Sequence, residues 1–502
     1  FRYLVHLLAL LSLVLLAGCE SKEEKAERYF KSGMEYLEKG DEERALIEFQ
    51  NVFKYDGFHK EARKTYADVK LRQGKLQEAY SQYLRLIEQY PYTAEVRAIL
   101  AELAIKGGSW TEAERHGREA VRLAPDDPRS QAIGLALDFR KAVADKDAAS
   151  QDALAADAET LLAAHPESEI TRQIVLNHLV AGPDPLAALP VLDEAIARDP
   201  GNIGYQMLKF RLLAQSNDMP ATGEHLKQMY GLFPENADVQ AALIAWYLAG
   251  NDLDGAEAFL RQIAGPPTGA TEGHVVLVQF LQRMRGPEAA KAELAALIAA
   301  NAGSSNADLY GALATSIDFD AGRQAPAIEA LQAIVQQAEP SDQTRLLKVM
   351  LARMLEATGN SVGAQAAVEE VLAEDATNGE ALKLRAAWKI RADRPGEAIV
   401  DLRAALDQNP RDVTAMELMA EAHERDGSLD LAGERLAMAV ETSGAAAEPS
   451  LRYAGFLIRQ GRLQPATKVL LDARRVSPGN VAVLGMLGNV YLREQVWADA
   501  EE

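Results

Sequence analysis

Apolar and small residues recur along this chain in paired helical stripes. Near the start, Tyr29, Gly33 and Tyr36 stand at i, i+4 and i+7, and after Gly40 the residues Ala45, Phe49 and Val52 repeat that spacing. Each set lines one face of a helix of 3.6-residue period, so this stretch predicts two amphipathic helices joined by a turn. The same arrangement returns in the segments beginning at Ala26, Lys60 and Ala94, each 34 residues long. Gly40, Gly74 and Gly108 fall between the stripes, where a chain leaving a helix often needs a left-handed residue. Pro91 and Pro125 fall just past the second helix, where proline stops it.

Alanine is the ruler of this pattern. Ala45, Ala79, Ala113, Ala188, Ala256, Ala290, Ala327, Ala364, Ala398, Ala432, Ala466 and Ala500 are separated overwhelmingly by 34 or its multiples. With Leu154 and Thr222 taken as substitutes in the gaps, about fourteen units follow one another. A fixed period of this length marks stacked units that bury a continuous core between neighbours. The expected fold is all-α: a right-handed α-solenoid of about fourteen antiparallel helix pairs. Pro200, Pro234, Pro410 and Pro478 keep the stop position, and Gly322, Gly359, Gly427 and Gly461 keep the turn. A polar stretch from Asp145 to Asp152 reads as an insertion in the fourth unit, and Gly265 to Gly273 (GPPTGATEG) breaks the run; both are expected to be bends or seams. The expected organisation is 1–18 as a leader, 19–25 as a charged tether, 26–127 as three regular units, 128–270 as divergent units and 271–502 as further units. The chain stops at Glu502 within an expected second helix, so further sequence is expected to follow.

These units resemble the tetratricopeptide repeat, which has a small residue at position eight, Gly at fifteen, Ala at twenty, a large apolar residue at twenty-four and Pro at thirty-two. Gly33 facing Ala45, and Ala454 facing Ala466, are expected to let paired helices approach closely, with Phe49, Tyr83 or Leu470 filling the space beside them. The resemblance implies a superhelix that binds other proteins. It also implies that positions two, five, nine, twelve and thirteen of each first helix line a groove, which selects Lys64, Asp68, Arg72, Glu102, Lys106 and Asn177 as candidates. The family's carboxylate clamp needs Lys at five with Asn at nine. Lys64 is followed by Asp68, and Asn177 is preceded by Gln173, so that clamp is absent.

Composition narrows the function. The formal net charge is -21, and such a chain repels phosphate backbones, which argues against a nucleic-acid partner. Aromatics make up only 6% of the chain, as close-packed Ala/Leu helices require. The eight histidines are widely scattered, and no H-E-x-x-H pair or Gly-rich phosphate loop occurs. No catalytic residue, metal site or cofactor is expected. Trp110 and Trp497 share the seventeenth position of their units, and Trp246 and Trp388 the tenth; common register points to packing rather than ligand stacking.

The leader carries the remaining chemistry. Arg2 precedes an apolar run from Tyr3 to Ala17, followed by Gly18 and Cys19. Leu16-Ala17-Gly18-Cys19 resembles the lipobox of bacterial lipoproteins, in which small residues fit the peptidase and the cysteine sulfur receives diacylglycerol. The run is shorter than the roughly 20 residues of a spanning helix. Cys19 is the sole cysteine, so no disulfide forms within the chain. The resemblance implies a lipid-anchored, periplasm-facing envelope protein whose partners are other envelope proteins. Glu20 in place of Asp after the cysteine leans towards the outer membrane. In overall style the chain resembles the alanine-rich repeat lipoproteins of exopolysaccharide export and PEP-CTERM protein sorting. The alternatives are a lipoprotein of outer-membrane protein insertion or pilus assembly, and the repeat region of a larger enzyme, such as a glycosyltransferase, whose catalytic domain lies beyond Glu502.

Overall fold

The computed structural model describes residues 20–496, and within them the fold is helical throughout, as the periodicity predicts. Helices alternate in pairs, beginning with Lys22–Glu38 and Glu42–Tyr55, then Lys60–Arg72 and Leu76–Gln89, then Ala94–Lys106 and Trp110–Leu123. The chain forms two compact units, one ending at Trp246 and the other beginning at Tyr247.

Local chemistry sets the boundaries. Ser21 opens the first helix with a capping box: its hydroxyl accepts from the Glu24 amide while the Glu24 carboxylate accepts from the Ser21 amide. Asp41, Asp127, Asn202, Asp252, Asn378 and Asp412 each accept an amide hydrogen bond at the start of their helices. Between paired helices the chain turns through a left-handed residue, with Gly40 at φ 76° and no atom within 4 Å of where a Cβ would sit. Its requirement is therefore conformational rather than steric.

The alanine column is the centre of the core. Ala45, Ala79, Ala113, Ala188, Ala256, Ala290, Ala364, Ala398, Ala432 and Ala466 are all fully buried, and Ala327 nearly so. Thr222 takes the same buried place by returning its hydroxyl to the Asp218 carbonyl at 2.7 Å. Gly33 lies against Phe49: a Cβ on Gly33 would be 2.6 Å from the Phe49 ring. The missing side chain makes room for the aromatic itself. Trp246 likewise lies on Gly223, whose added Cβ would be 2.1 Å away. Trp388 packs among buried aliphatic residues, and Trp110 lies under the Arg140 guanidinium at 4.3 Å. Trp497 and Ala500 fall outside the described residues.

One expectation changes and a second is sharpened. Leu154 is not the core anchor of its unit; it is only half-buried, whereas Ala155 and Ala158 are buried. The insertion expected around Asp145 to Asp152 is accommodated as helix on either side of a short turn. Pro128–Ala144 and Ala148–Ala164 are each 17 residues long, against 13 and 14 in the preceding pair, so the added residues lengthen both helices by about one turn. The same rule explains the wider alanine spacings around Ala327, where Ser305–Asp320 and Asp342–Ala357 each have 16 residues. Added length arrives in whole turns because only a whole turn returns the apolar stripe to its face.

A recurring polar latch ties successive pairs together in the first unit. From the second repeat on, the fourth residue donates to the carbonyl six residues earlier, at the turn. Arg63 reaches Gly57 at 2.7 Å, Arg97 reaches Pro91 at 3.3 Å, Gln131 reaches Pro125 at 3.2 Å, Gln206 reaches Pro200 at 3.0 Å and Gln240 reaches Pro234 at 2.7 Å. Arg172 and Pro166 form the same pair. Proline lacks an amide hydrogen but keeps its carbonyl, so one residue stops a helix and anchors the next.

Candidate protein-binding surface

The candidate groove residues sit on the first helices of their pairs, but they do not form one free basic row. Lys64 Nζ lies 3.1 Å from Asp68 Oδ2 and 3.0 Å from Glu95 Oε1 of the next repeat. Burial alone would lower the Lys64 pKa, but hydrogen bonds to Glu95 and Asp68 outweigh it and raise the value. The other Asp68 oxygen accepts from the Tyr83 hydroxyl at 2.6 Å. Burial first, then that carboxylate, pushes the Tyr83 pKa far up, so the phenol stays a donor. Lys64 and Asp68 are therefore brought together as one interhelical network.

The other four candidates are placed differently. Arg72 Nη2 pairs with Glu42 Oε1 at 3.0 Å, and Gln73 donates to the second Glu42 oxygen at 3.0 Å. Those contacts, from Gln73 and then Arg72, hold the Glu42 carboxyl below its ordinary range. Both Glu102 oxygens accept from Arg129. Lys106 and Asn177 are exposed and stand apart from that network. Reversing the charges of Lys64 and Arg72 would thus break contacts within the array as well as any contact with a partner.

In the second unit the equivalent face carries ion pairs that the sequence reading missed. Arg391 pairs with Glu356, Arg452 with Glu417 at 3.0 Å and Arg459 with Glu424 at 2.7 Å, each across 35 residues. A separation of one period plus one places these side chains on neighbouring repeats at almost the same height, so the signal was present in the spacing. Glu417, Glu421, Glu424, Arg425, Arg452 and Arg459 line a cleft of about 430 Å³ between the Val413–Arg425 and Ala447–Arg459 helices. The Arg459–Glu424 pair is part-exposed, so it contributes little to stability and can be exchanged for contacts with a charged partner, whereas Glu417 is buried and holds Arg452 from within the array.

Among the described residues, no group of His, Cys, Asp and Glu could hold a metal ion, and no helix is long and apolar enough to cross a membrane. Leu16, Ala17, Gly18 and Cys19 lie outside the described residues.

The tetratricopeptide repeat family model matches residues 30–92, 65–128 and 389–447, so these stretches are tetratricopeptide repeats. Comparison with curated protein sequences gives no match. Among solved structures, Naa15/Naa10 bound to HypK-THB is similar at 13% identity and a TM-score of 0.39, covering 95% of this chain and 92% of the other. The APC/C hetero-tetramer Cut9-Hcn1 aligns at 13% identity and a TM-score of 0.36, covering 95% and 98%. A tetratricopeptide repeat protein from Parabacteroides merdae aligns at 14% identity and a TM-score of 0.34, covering 45% and 87%.

Proposed function

We propose that this chain is a lipid-anchored scaffold of the bacterial envelope, facing the periplasm, that gathers protein partners along its first-helix faces. Tetratricopeptide repeats are protein-binding modules, and this coarse function follows from the matched repeats. The anchoring rests on Leu16-Ala17-Gly18-Cys19, with Cys19 the chain's sole thiol. The partners are envelope proteins that contact the ion-paired first-helix faces, and resemblance to the export and sorting lipoproteins favours exopolysaccharide export or protein sorting as the setting. Exchangeable surface pairs suit such a role, because they set orientation and specificity at little cost to the array.

The test is metabolic labelling of cells with palmitate, followed by membrane fractionation and in-cell crosslinking. The expected result is label on the native chain and its loss in Cys19→Ala, with release of the protein from membranes and loss of its envelope crosslinks. Unchanged membrane association in Cys19→Ala would defeat the anchor.

A further inference from the structure

The helix-pair turns nearest the proposed anchor differ from all later ones. Position thirty-three of the first two repeats holds Phe58 and Tyr92, whereas equivalent turns further along hold residues such as Asp126, Gly201, Glu235, Arg411 and Gly479. In no later unit does this position carry an aromatic or large aliphatic side chain. Both rings are in solvent: Phe58 is 65% and Tyr92 77% exposed. Tyr55, one turn before Phe58, is also exposed.

The loops that carry these rings are held rather than loose. The Phe58 carbonyl accepts from the Tyr90 hydroxyl at 2.6 Å, its amide donates to Asp56 at 2.8 Å, and the Gly57 carbonyl accepts from both Arg63 and Gln89. Thr93 bonds back to the Tyr90 carbonyl at 2.9 Å beside Tyr92. Two large apolar side chains are therefore presented to water by a satisfied backbone, which costs solvation free energy unless something covers them.

The start of the first helix lies at the same edge. Tyr55 stacks on Tyr29 with ring centres 5.7 Å apart, Lys25 Nζ is 5.8 Å from the Tyr55 ring, and His59 Nε2 is 3.5 Å from Glu27. Only Glu20 and Ser21 separate Cys19 from Lys22. Both are engaged with the first helix, Ser21 as its cap and Glu20 in a 2.9 Å pair with Arg28. Fully extended, so few residues reach only about 10 Å. A lipid on Cys19 would hold this edge at the depth of the headgroup layer, where aromatic side chains are favoured.

From this geometry we infer that Phe58 and Tyr92 insert into the headgroup layer of the bilayer that carries the lipid, and so orient the array on the membrane. The inference rests on the anchored reading above. Lysines at this edge (Lys22, Lys25, Lys54, Lys60) are matched by Glu23, Glu24, Glu27 and Asp56, so docking is driven by aromatic burial and not by anionic lipid. The anchor keeps the edge at high local concentration, so a weak contact suffices.

The experiment uses the full lipidated chain in phosphatidylcholine vesicles, with an environment-sensitive dye on Phe58→Cys, Tyr92→Cys or Asp126→Cys. The Cys19 sulfur carries the lipid and does not react. Spin-labelled lipid should quench the dye at least twofold more at positions 58 and 92 than at 126. A chain carrying both Phe58→Ser and Tyr92→Ser should be cleaved several-fold faster by trypsin at Lys54 and Lys60 when on vesicles. Equal quenching at all three positions, or none at 58 and 92, overturns the inference. Protection of the edge that appears only after envelope proteins are added also overturns it and assigns the rings to a protein. The mass of the amino-terminal peptide from the same sample separates the two readings. Absence of lipid on Cys19 defeats the anchor itself, whereas lipid without quenching defeats only the membrane-facing edge.

Discussion

The two compact units solve the same packing problem with different chemistry at the same register. In the first, the fourth residue of a repeat is polar and also faces position twenty-three of its own second helix. Arg63 donates to Gln82 at 2.8 Å, Arg97 lies 3.2 Å from His116, and the Gln206 carbonyl accepts from His225 at 2.9 Å, each pair 19 residues apart. In the second unit the fourth position is mixed: apolar and buried at Leu382 and Met416, polar and buried at His274 and Ser450. There the charge is concentrated instead at one position twenty-three, where the buried Asp401 accepts from Arg385 at 2.9 and 3.0 Å and from Lys389 at 2.7 Å. A small core built from Ala and Leu tolerates either latches spread over many turns, cationic at Arg63, Arg97 and Arg172 and neutral at Gln131, Gln206 and Gln240, or a few charges gathered on one carboxylate. Asp401 meets two cations, whereas Arg63 is buried without a carboxylate and rests on the Gly57 carbonyl, Gln82 and the Phe53 ring; a buried charge with no partner at all is the arrangement that costs most.

The largest effect should come from breaking the concentrated device. Asp401→Ala leaves Arg385 and Lys389 without their shared partner and should destabilise the second unit by about 3–5 kcal/mol, read as a loss of hydrogen-exchange protection across residues 379–408. Replacing Arg385, Lys389 and Asp401 together by Met, Met and Leu should recover most of that loss, because the desolvation cost disappears along with the attraction. If the triple variant is as unstable as the single one, the cluster is not an electrostatic unit.

The distributed device should break more gently. Arg63→Leu removes the latch to Gly57 and the bond to Gln82 while keeping apolar bulk over Phe53, whose ring lies 4.5 Å from the guanidinium. About 1–3 kcal/mol should be lost. The loss should be confined to the first two repeats, because each latch serves one turn, and denaturant titration followed by proteolysis at the loop of residues 56–59 measures it. Met416→Gln should not gain a comparable amount, since it places a polar group where the second unit already packs carbon.

Much of this was legible in the sequence, and the reasons it was or was not are physical. The alanine column could be read because close helix approach admits only a small side chain, and nearly every anchor alanine is indeed fully buried. Leu154 was misassigned because a fixed ruler slips when two helices each lengthen by about a turn, moving the buried position to Ala155. Gly33 was legible as small and Phe49 as the filler of the space beside it; that the ring lies directly on Gly33 was not, since Phe49 and Ala45 share one helical stripe. The candidate groove was legible as positions and not as free charges. Lys64 meets Glu95 and Glu102 meets Arg129 across repeats, and a reading made one unit at a time does not register contacts of 27 or 31 residues. The latch was visible as Arg or Gln six residues after Gly57, Pro91, Pro125, Pro166, Pro200 and Pro234, but a turn carbonyl has no side-chain signature to draw attention to it.

The smallest effect distinguishes the two units by pH. The buried histidines whose pKa is lowered are His116 and His225 in the first unit and His423 in the second, where His274 is buried as well. Burial is the main cause of the lowering at His116, His225 and His423, with the nearby Arg97 adding to it at His116. The folded state therefore holds these rings neutral, while the unfolded chain takes up protons near the ordinary value of about 6.5. Stability from the neutral rings is fully present above that value and is lost as pH falls below it towards the folded pKa values. Carboxylates such as Asp318, held low by Lys291 and then Arg323, stay ionised through the same window and do not contribute to the slope. Lowering the pH from 7 to 5.5 should therefore weaken the first unit more than the second, since it carries two such rings against one. His225→Gln, which keeps a donor for the Gln206 carbonyl but cannot titrate, should flatten the first unit's response. Region-resolved hydrogen exchange at the two pH values reads both slopes, and equal slopes in the two units would show that the neutral histidines are not what separates them.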